Sequence, residues 1–392
     1  MMQETLGRQR VLALDDPSQA GEPEGSRLVL ARASAAATPR RPYVDVFRGL
    51  LIVHMALDHA SLMFNAARGE EELAARAPLP PADFLQFLTR FTGVPVAPAF
   101  CFMAGFMVAL TSLAREGRGV PAPEVTRRLV IRGLVLICVD AVVLGLPRLA
   151  AGFYSFMVLS SIGASVLLLA AVRHVRSSIL LPLSLAVLLL HPLLEISFLP
   201  IHLRAIVYEP VRSGVVRSLY PIVPWSAIVL LGFVFGRDAF ARERSPRFWW
   251  VLCGASVTVF LLVRLGGGYG NAYPHSGPLS LDFWSFAKYP PDLAFLTWSF
   301  ASIFLALAIL APLTRVGVPS WLAPVAVFGR VPFFFYVVHF YVLGIWAALL
   351  RQRYGLGGTY LIWFCLLVVM AWPCMWYARK KRERPNLVTR YF

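Results

Sequence analysis

Long apolar runs, separated by short polar segments, occupy most of the chain after residue 42. A helix needs about 20 apolar residues to cross a bilayer, and the runs are of this length. The pattern predicts an all-α polytopic membrane bundle of about ten transmembrane helices, of which Arg132, Asp140 and Arg148 interrupt the third and fourth. The predicted spans are 43–66, 93–114, 129–147, 153–172, 178–199, 219–236, 248–264, 291–313, 332–350 and 359–378.

The arginines between the spans predict how the bundle is oriented. They concentrate in segments 115–128, 173–176, 237–247 and 379–384. Because loops rich in Lys and Arg stay in the cytoplasm, this side is cytoplasmic, and the long, acidic segment 66–92 faces outward. Ten spans then place both termini in the cytoplasm. The predicted parts are a disordered cytoplasmic tail at 1–42, a transmembrane domain at 43–378 and a basic cytoplasmic tail at 379–392.

Composition agrees with a membrane protein. Hydrophobic residues make up 58% of the chain and charged residues 15%, whereas soluble domains carry about 25% charged residues. The net charge of +16 lies at the ends of apolar runs, where it sets topology, so we expect no nucleic-acid partner. The five cysteines lie in apolar runs without CxxC or Cys/His spacing, so we expect neither a disulfide nor a metal site.

The first span carries an unusual concentration of ionisable residues. Such groups are costly inside a bilayer and usually mark function. Arg48 and His59 are eleven residues apart, which puts them on one helix face with a rise of about 16 Å. His54 and Asp58 are four apart and can pair on their own face. The plainer alternative is an interfacial salt bridge between Asp45 and Arg48, with His59 only packing in the bundle.

The ninth span repeats this arrangement. Pro332 fits the first turn of a helix, Arg330 precedes it on the cytoplasmic side, and His339 lies about 10 Å deeper. On the outer side, Lys288 precedes the eighth span and the segment 220–225 opens the sixth. These outer segments are either interfacial anchors or the lining of an acceptor pocket.

Short motifs along the chain resemble those of the heparan-alpha-glucosaminide N-acetyltransferase catalytic-domain-like family, in family order. The resemblance runs from about residue 43 to 380. It is carried by segments 45–50, 55–59, 89–91, 97–100, 132–134, 220–225, 288–291, 329–332 and 335–339. The spacing from Arg48 to His59 also resembles the signature of membrane acyltransferases that modify bacterial surface sugars.

The resemblance implies transfer of an acyl group, usually acetyl, from cytosolic acyl-CoA to an acceptor beyond the membrane. The acceptor is often a sugar hydroxyl or amine. It implies a multi-pass protein of the bacterial inner membrane, in contact with lipid, acyl-CoA and a glycan-type acceptor. Acetyl-CoA or another acyl-CoA is the expected donor, and no metal is expected.

Three groups of residues are candidates for these roles. The catalytic candidates are His59 as general base, Asp58 and His339. The donor-binding candidates are Arg48, Arg132 and Arg330, since the phosphates of acyl-CoA suit arginine. The acceptor-binding candidates are His54, Arg90, Tyr220, Trp225 and Lys288.

Two other classes of function remain open. A transporter or flippase of an envelope precursor would use the same helices, and intramembrane His, Asp and Arg suit proton-coupled transport. No inverted repeat with paired broken helices is apparent, which weakens that alternative. A structural partner in an envelope-assembly complex is the third class. The sequence leaves open the acceptor, the acyl chain, the oligomeric state (a dimer included) and the choice of base among His59, His54 and His339.

Overall fold

The computed structural model describes residues 41–68, 83–212, 214–242 and 244–383. In these residues the α-helices are α1 (Pro42–Phe64), α2 (Phe84–Phe91), α3 (Val96–Glu116), α4 (Ala122–Cys138), α5 (Leu146–Ala150), α6 (Val158–Val172), α7 (Ser177–Leu190), α8 (Ile201–Val207), α9 (Ile222–Ala241), α10 (Pro246–Gly266), α11 (Leu293–Leu313), α12 (Ala323–Arg330), α13 (Pro332–Leu350) and α14 (Leu356–Glu383). Two short strands, β1 (Tyr154–Phe156) and β2 (Val216–Ser218), pair in parallel.

The all-α membrane bundle predicted from the sequence is confirmed. Each predicted span overlaps a helix, and the part of the chain that the structure describes contains seven helices long and apolar enough to cross a membrane. These are α1, α2 with α3, α9, α10, α11, α13 and α14. The count of ten crossings and the cytoplasmic termini stay predictions. The predicted N-terminal tail up to residue 40, segment 69–82 of the outer loop and the last residues from 384 lie outside the described residues.

Asp140 explains why the third and fourth spans are irregular. After α4 the chain makes a π-helical turn at Val139–Val143, and the Asp140 carboxylate accepts hydrogen bonds from the backbone N–H groups of Met157 (3.1 Å) and Ser160 (2.8 Å). The first turn of α6 has N–H groups without helical partners, and the buried carboxylate satisfies them. The acidic residue therefore marks a capped helix junction rather than a site exposed to lipid.

The fifth span is shorter than the sequence pattern predicted. We expected it to run to residue 199, but α7 ends at Leu190 and is followed by a 3₁₀ turn, His191–Leu193. Pro192 lies within that turn and has no backbone N–H to donate to the carbonyl oxygen four residues earlier, so the α-helical hydrogen bonding stops there. Hydropathy alone does not register this interruption, because the residues beyond it remain apolar.

Glycines bring neighbouring helices into backbone contact. A Cβ added at Gly105 of α3 would lie 1.8 Å from the carbonyl oxygen of Val229 in α9, and one added at Gly232 would lie 1.9 Å from that of Phe102. Gly133 of α4 and Gly163 of α6 face each other in the same way. Lipid supplies no hydrophobic driving force between helices, so close packing at small residues is a main source of association in membranes.

The helices divide into an enclosed group and a lipid-facing group. In α1, α3, α9 and α11 more than half of the apolar segment is buried, whereas in α10, α13 and α14 only 22% of it is buried. Exposed apolar faces of this extent are expected where lipid replaces water. The enclosed helix α1, with its ionisable residues, therefore lies where a reaction site can be kept away from lipid.

Candidate functional site

Two histidines from opposite ends of the sequence meet inside the bundle. Nδ1 of His59 in α1 lies 2.8 Å from Nε2 of His339 in α13, and the two rings are nearly parallel with centroids 5.1 Å apart. His339 is wholly buried and His59 is half-buried. The sequence presented them as alternative bases on separate helices, whereas the structure joins them into one unit.

The hydrogen bonds assign a tautomer to each ring. Nδ1 of His339 lies 2.9 Å from the carbonyl oxygen of Phe335, which can only accept, so this nitrogen carries the proton. Nε2 of neutral His339 is then an acceptor, and Nδ1–H of His59 donates to it. Neutral His59 consequently carries its lone pair on Nε2. A ring held in one tautomer by a second group is the arrangement that a general base requires.

Asp58 belongs to a charged cluster at the end of α1 that is predicted to face outward, here called the outer end. Its Oδ1 accepts from Nη1 of Arg68 at 2.9 Å, and the same guanidinium donates to the Asp58 carbonyl oxygen at 2.8 Å. Lys288 is close enough for its charge to attract the carboxylate. Arg68 is almost completely buried and was not a candidate from the sequence, because no spacing pattern distinguishes it in its loop.

His54 does not join the histidine pair. Its Nδ1 lies 3.0 Å from the carbonyl oxygen of Leu50, one turn earlier in α1. Asp58 pairs with Arg68 rather than with His54, so the predicted pairing of His54 with Asp58 is wrong. His54 stays outside the histidine pair because it lies about 140° around the helix from His59.

A second cationic cluster lies at the end of the bundle that is predicted to face the cytoplasm. Arg48 of α1 and Arg132 of α4 are each near enough to Lys381 of α14 to repel its charge. Three helices thus converge on one cationic region. Lys381 falls in the segment predicted as a basic tail from residue 379, but α14 continues to Glu383 and carries this lysine into the cluster.

Arg330 is placed beside α1 by a close backbone contact. It is the exposed last residue of α12, and a Cβ added at the neighbouring Gly329 would lie 1.8 Å from the carbonyl oxygen of Asp45. A Cβ at Gly49 would likewise lie 2.0 Å from the carbonyl oxygen of Val325. Arg330 therefore lies at the level of the first turn of α1, at the same end of the bundle as Arg48.

Aromatic rings surround Lys288 at the outer end. Its Nζ lies 5.0 Å from the ring centroid of Tyr289 and 5.8 Å from that of Tyr220, and the Tyr289 hydroxyl donates to the Tyr220 hydroxyl at 2.7 Å. Trp225 packs against Tyr220, with centroids 4.7 Å apart, and is itself wholly buried. The predicted acceptor residues Tyr220, Trp225 and Lys288 are thus brought together, with Trp225 beneath the other two.

Arg264 of α10 organises the outer loop that carries Lys288. This arginine is fully buried, yet four hydrogen bonds of 2.9–3.0 Å satisfy its guanidinium. The acceptors are the carbonyl oxygens of Phe283, Tyr273 and Asp282 and the side-chain oxygen of Asn271. The hydropathy pattern places Arg264 only at the end of the seventh predicted span. Its role appears only when the loop folds back over the helix end.

Asp292 and Arg90 complete the outer region. Asp292 caps α11 by accepting the Phe295 N–H at 2.7 Å, and burial raises the pKa of its carboxyl group above the ordinary value. Arg90, in the last turn of α2, is close enough to act electrostatically on Tyr273 in the outer loop. The pKa of the Tyr273 hydroxyl is also raised, chiefly by burial.

The helices that carry the histidine pair are joined at both ends. At the outer end, the Tyr354 N–H donates to the Phe64 carbonyl at 2.6 Å and the Ala66 N–H donates to the Tyr354 carbonyl at 2.8 Å, which ties the end of α1 to the turn after α13. At the inner end, Gly329 of α12 packs on α1, and only Val331 separates α12 from α13. The distance between the two rings is therefore fixed by backbone contacts on either side.

These features define a class of protein: a multispanning membrane protein with a hydrogen-bonded histidine pair between two charged regions. The described residues contain no group of three or more His, Cys, Asp or Glu side chains that could hold a metal ion.

The family model described as "Heparan-alpha-glucosaminide N-acetyltransferase, catalytic" matches residues 40–267, and the chain belongs to this family. The match confirms the resemblance drawn from the sequence motifs and supports a membrane acyltransferase. It includes His59 and the donor candidates Arg48 and Arg132, whereas Arg330 and His339 lie beyond it. Among curated proteins, none matches the chain.

Proposed function

We propose that the protein transfers an acetyl group from cytosolic acetyl-CoA to a hydroxyl or amine of an extracytoplasmic, sugar-containing acceptor. The single observation that carries this proposal is the His59–His339 hydrogen bond, with one cationic region toward each membrane face. A transfer between two compartments needs a donor site on one side, an acceptor site on the other and a proton acceptor between them.

In this proposal the donor enters from the cytoplasm. Arg48, Arg132 and Arg330 bind its phosphates, with Lys381 adding a fourth positive charge. Charge-assisted bonds between arginine and phosphate are among the strong hydrogen bonds in proteins. The rise of about 16 Å from Arg48 to His59 is then spanned by the extended pantetheine arm, which brings the thioester to the histidine pair.

His59 acts as the general base on the acceptor. As the acceptor oxygen or nitrogen attacks the thioester carbonyl, Nε2 of His59 takes its proton, the C–S bond breaks and CoA leaves as a thiolate. The imidazolium of His59 then gives this proton to the thiolate, so the products are the acetylated acceptor and CoA and His59 is neutral again. His339 stabilises the imidazolium of His59 by accepting its Nδ1–H bond, while Asp58 and Lys288 lie on the side from which the acceptor arrives.

The decisive experiment compares His59→Gln with His54→Gln, a matched change on the same helix but outside the pair. Purified protein is assayed for acetyl-CoA binding by calorimetry, and for CoA release with glucosamine as the acceptor probe. We expect His59→Gln to bind acetyl-CoA normally and lose at least about 100-fold in turnover. The activity of the wild type should also depend on pH in a way that His59→Gln does not, because the imidazole must be neutral to take a proton.

Each other outcome has a defined meaning. Normal turnover in His59→Gln with loss in His54→Gln would assign the base to the other face of α1. Wild-type protein that neither binds nor consumes acetyl-CoA would favour a transporter or flippase. If both variants bind acetyl-CoA and release CoA as the wild type does, acetyl-CoA remains the proposed donor but His59 is not the base.

A further inference from the structure

A cavity separate from the histidine pair lies where α1 and α10 begin and α9 and α11 end. Its volume is about 260 Å³. Three arginines line it: Arg41 immediately before α1, Arg244 before α10 and Arg315 after α11. In the predicted orientation these helix ends all face the cytoplasm. The cavity, here called the arginine pocket, is therefore at the level of the headgroups of the inner leaflet.

Protein contacts hold the guanidinium groups of Arg41 and Arg244 in place. Arg41 donates to the carbonyl oxygen of Ala239 and, at 3.3 Å, to the hydroxyl of Tyr43. Arg244 makes two bonds with the Asp238 carboxylate, of 2.7 and 2.8 Å. No carboxylate belongs to the described residues that line the pocket, and both contacts of Arg41 are to neutral oxygens, so Asp238 leaves the charge of Arg41 without an offset. Fixed cations with an excess of charge form a preorganised anion site.

An apolar groove of about 830 Å³ adjoins the arginine pocket. Its walls come mainly from the apolar side chains of α3, α7, α9 and α10, including Leu113, Leu181, Phe235 and Leu252. Arg244 lines both the groove and the pocket, and its guanidinium lies 4.2 Å from the ring centroid of Phe248. An apolar groove that ends in fixed arginines is complementary to a ligand with a hydrocarbon chain and an anionic head.

We propose that the arginine pocket binds the phosphate of an anionic phospholipid from the cytoplasmic leaflet, with one acyl chain in the adjoining groove. Basic pockets between transmembrane helices on the cytoplasmic side suit such headgroups, and arginine bonds phosphate oxygens with favourable geometry. The pocket is smaller than the roughly 300–1,000 Å³ that drug-sized ligands occupy. It therefore matches one phosphate group better than the nucleotide of an acyl donor.

The test measures phosphatidylglycerol binding and does not depend on any acyl-transfer activity. The purified full chain is placed in phosphatidylcholine nanodiscs with a small fraction of phosphatidylglycerol, and lipid retention is measured by native mass spectrometry. The test variant carries Arg41→Gln with Arg315→Gln. The control is Arg118→Gln, which removes an exposed arginine from the same side of the bundle. We expect the test variant to bind phosphatidylglycerol at least about tenfold more weakly and the control to bind normally.

Two further measurements distinguish the binding of phospholipid from the binding of other anions. CoA added in excess should leave phosphatidylglycerol bound, and Leu252→Trp, which narrows the groove, should weaken lipid binding with all three arginines intact. Melting temperatures in pure phosphatidylcholine check that each variant is folded. The proposal is overturned if CoA displaces the lipid, or if the folded test variant retains phosphatidylglycerol as the control does.

Discussion

Replacing Gly329 with alanine tests whether the close contact of α12 with α1 sets the geometry of the site. The new Cβ would lie 1.8 Å from the Asp45 carbonyl oxygen, whereas ordinary contacts begin at 3.4 Å. Helix α12 must therefore move by about 1.6 Å, because the obstacle is backbone that no rotamer change can clear. Overpacking of this kind costs about 1–3 kcal/mol. Since α12 leads directly into α13, the shift also reaches His339, and a displacement of about 1 Å at a reacting group can cost about 100-fold in rate.

Gly344→Ala is the matched control, because Gly344 lies on the exposed side of α13 with open space where a Cβ would be added. The same substitution there should be neutral or stabilising by up to about 1 kcal/mol, since alanine is the better helix former. We would measure three quantities for both variants: the melting temperature in one detergent, the dissociation constant of acetyl-CoA and the turnover. We expect Gly329→Ala alone to melt earlier and lose activity. Equal stability and activity in the two variants would show that α12 can move without destabilising the protein. This result would refute the claim that its contact with α1 fixes the geometry of the histidine pair.

Four further experiments probe other parts of the molecule. Arg48→Ala should raise the dissociation constant of acetyl-CoA, measured by calorimetry, by about tenfold or more; unchanged affinity would show that the donor binds elsewhere. Arg264→Met should lower the melting temperature and expose the outer loop to protease, because a fixed guanidinium with four acceptors is lost, and a protease-resistant variant would contradict this role. Asp140→Ala should destabilise the protein by about 1 kcal/mol through loss of the α6 cap, whereas Asp140→Asn should recover part of it. In cysteine-accessibility labelling, Ser276→Cys should react from outside the cell and Arg118→Cys should not; the reverse result would invert the predicted topology.

The fold could be predicted from the sequence because lipid imposes one strong requirement. Every crossing must be a long apolar helix that satisfies its own backbone hydrogen bonds, so α10, α11 and α13 were placed to within about two residues. The short helix α12 was not predicted, since its eight residues are too few for a span. The early end of α7 was also missed, because its cause is the backbone of Pro192 rather than a change in hydropathy.

The candidate site was predictable one helix at a time but not as an assembly. An imidazole in an apolar span is conspicuous, and His59 and His339 were both recognised. Their pairing depends on which faces of α1 and α13 meet, and residues 280 positions apart carry no local signal of this. Lys381 was missed for a different reason: a positive charge at a helix end has the same appearance whether it sets topology or faces a ligand.

The double attachment of α1 to α12, α13 and the following turn has a consequence for how material crosses this membrane. Alternating access requires two groups of helices to part first at one face and then at the other. Here the inner glycine contact and the outer backbone hydrogen bonds to Tyr354 would have to break in turn, and the hydrogen bond between His59 and His339 with them. In the proposed reaction the helices therefore stay in place, and only the acyl group passes from one compartment to the other, because its donor is long enough to reach the histidine pair.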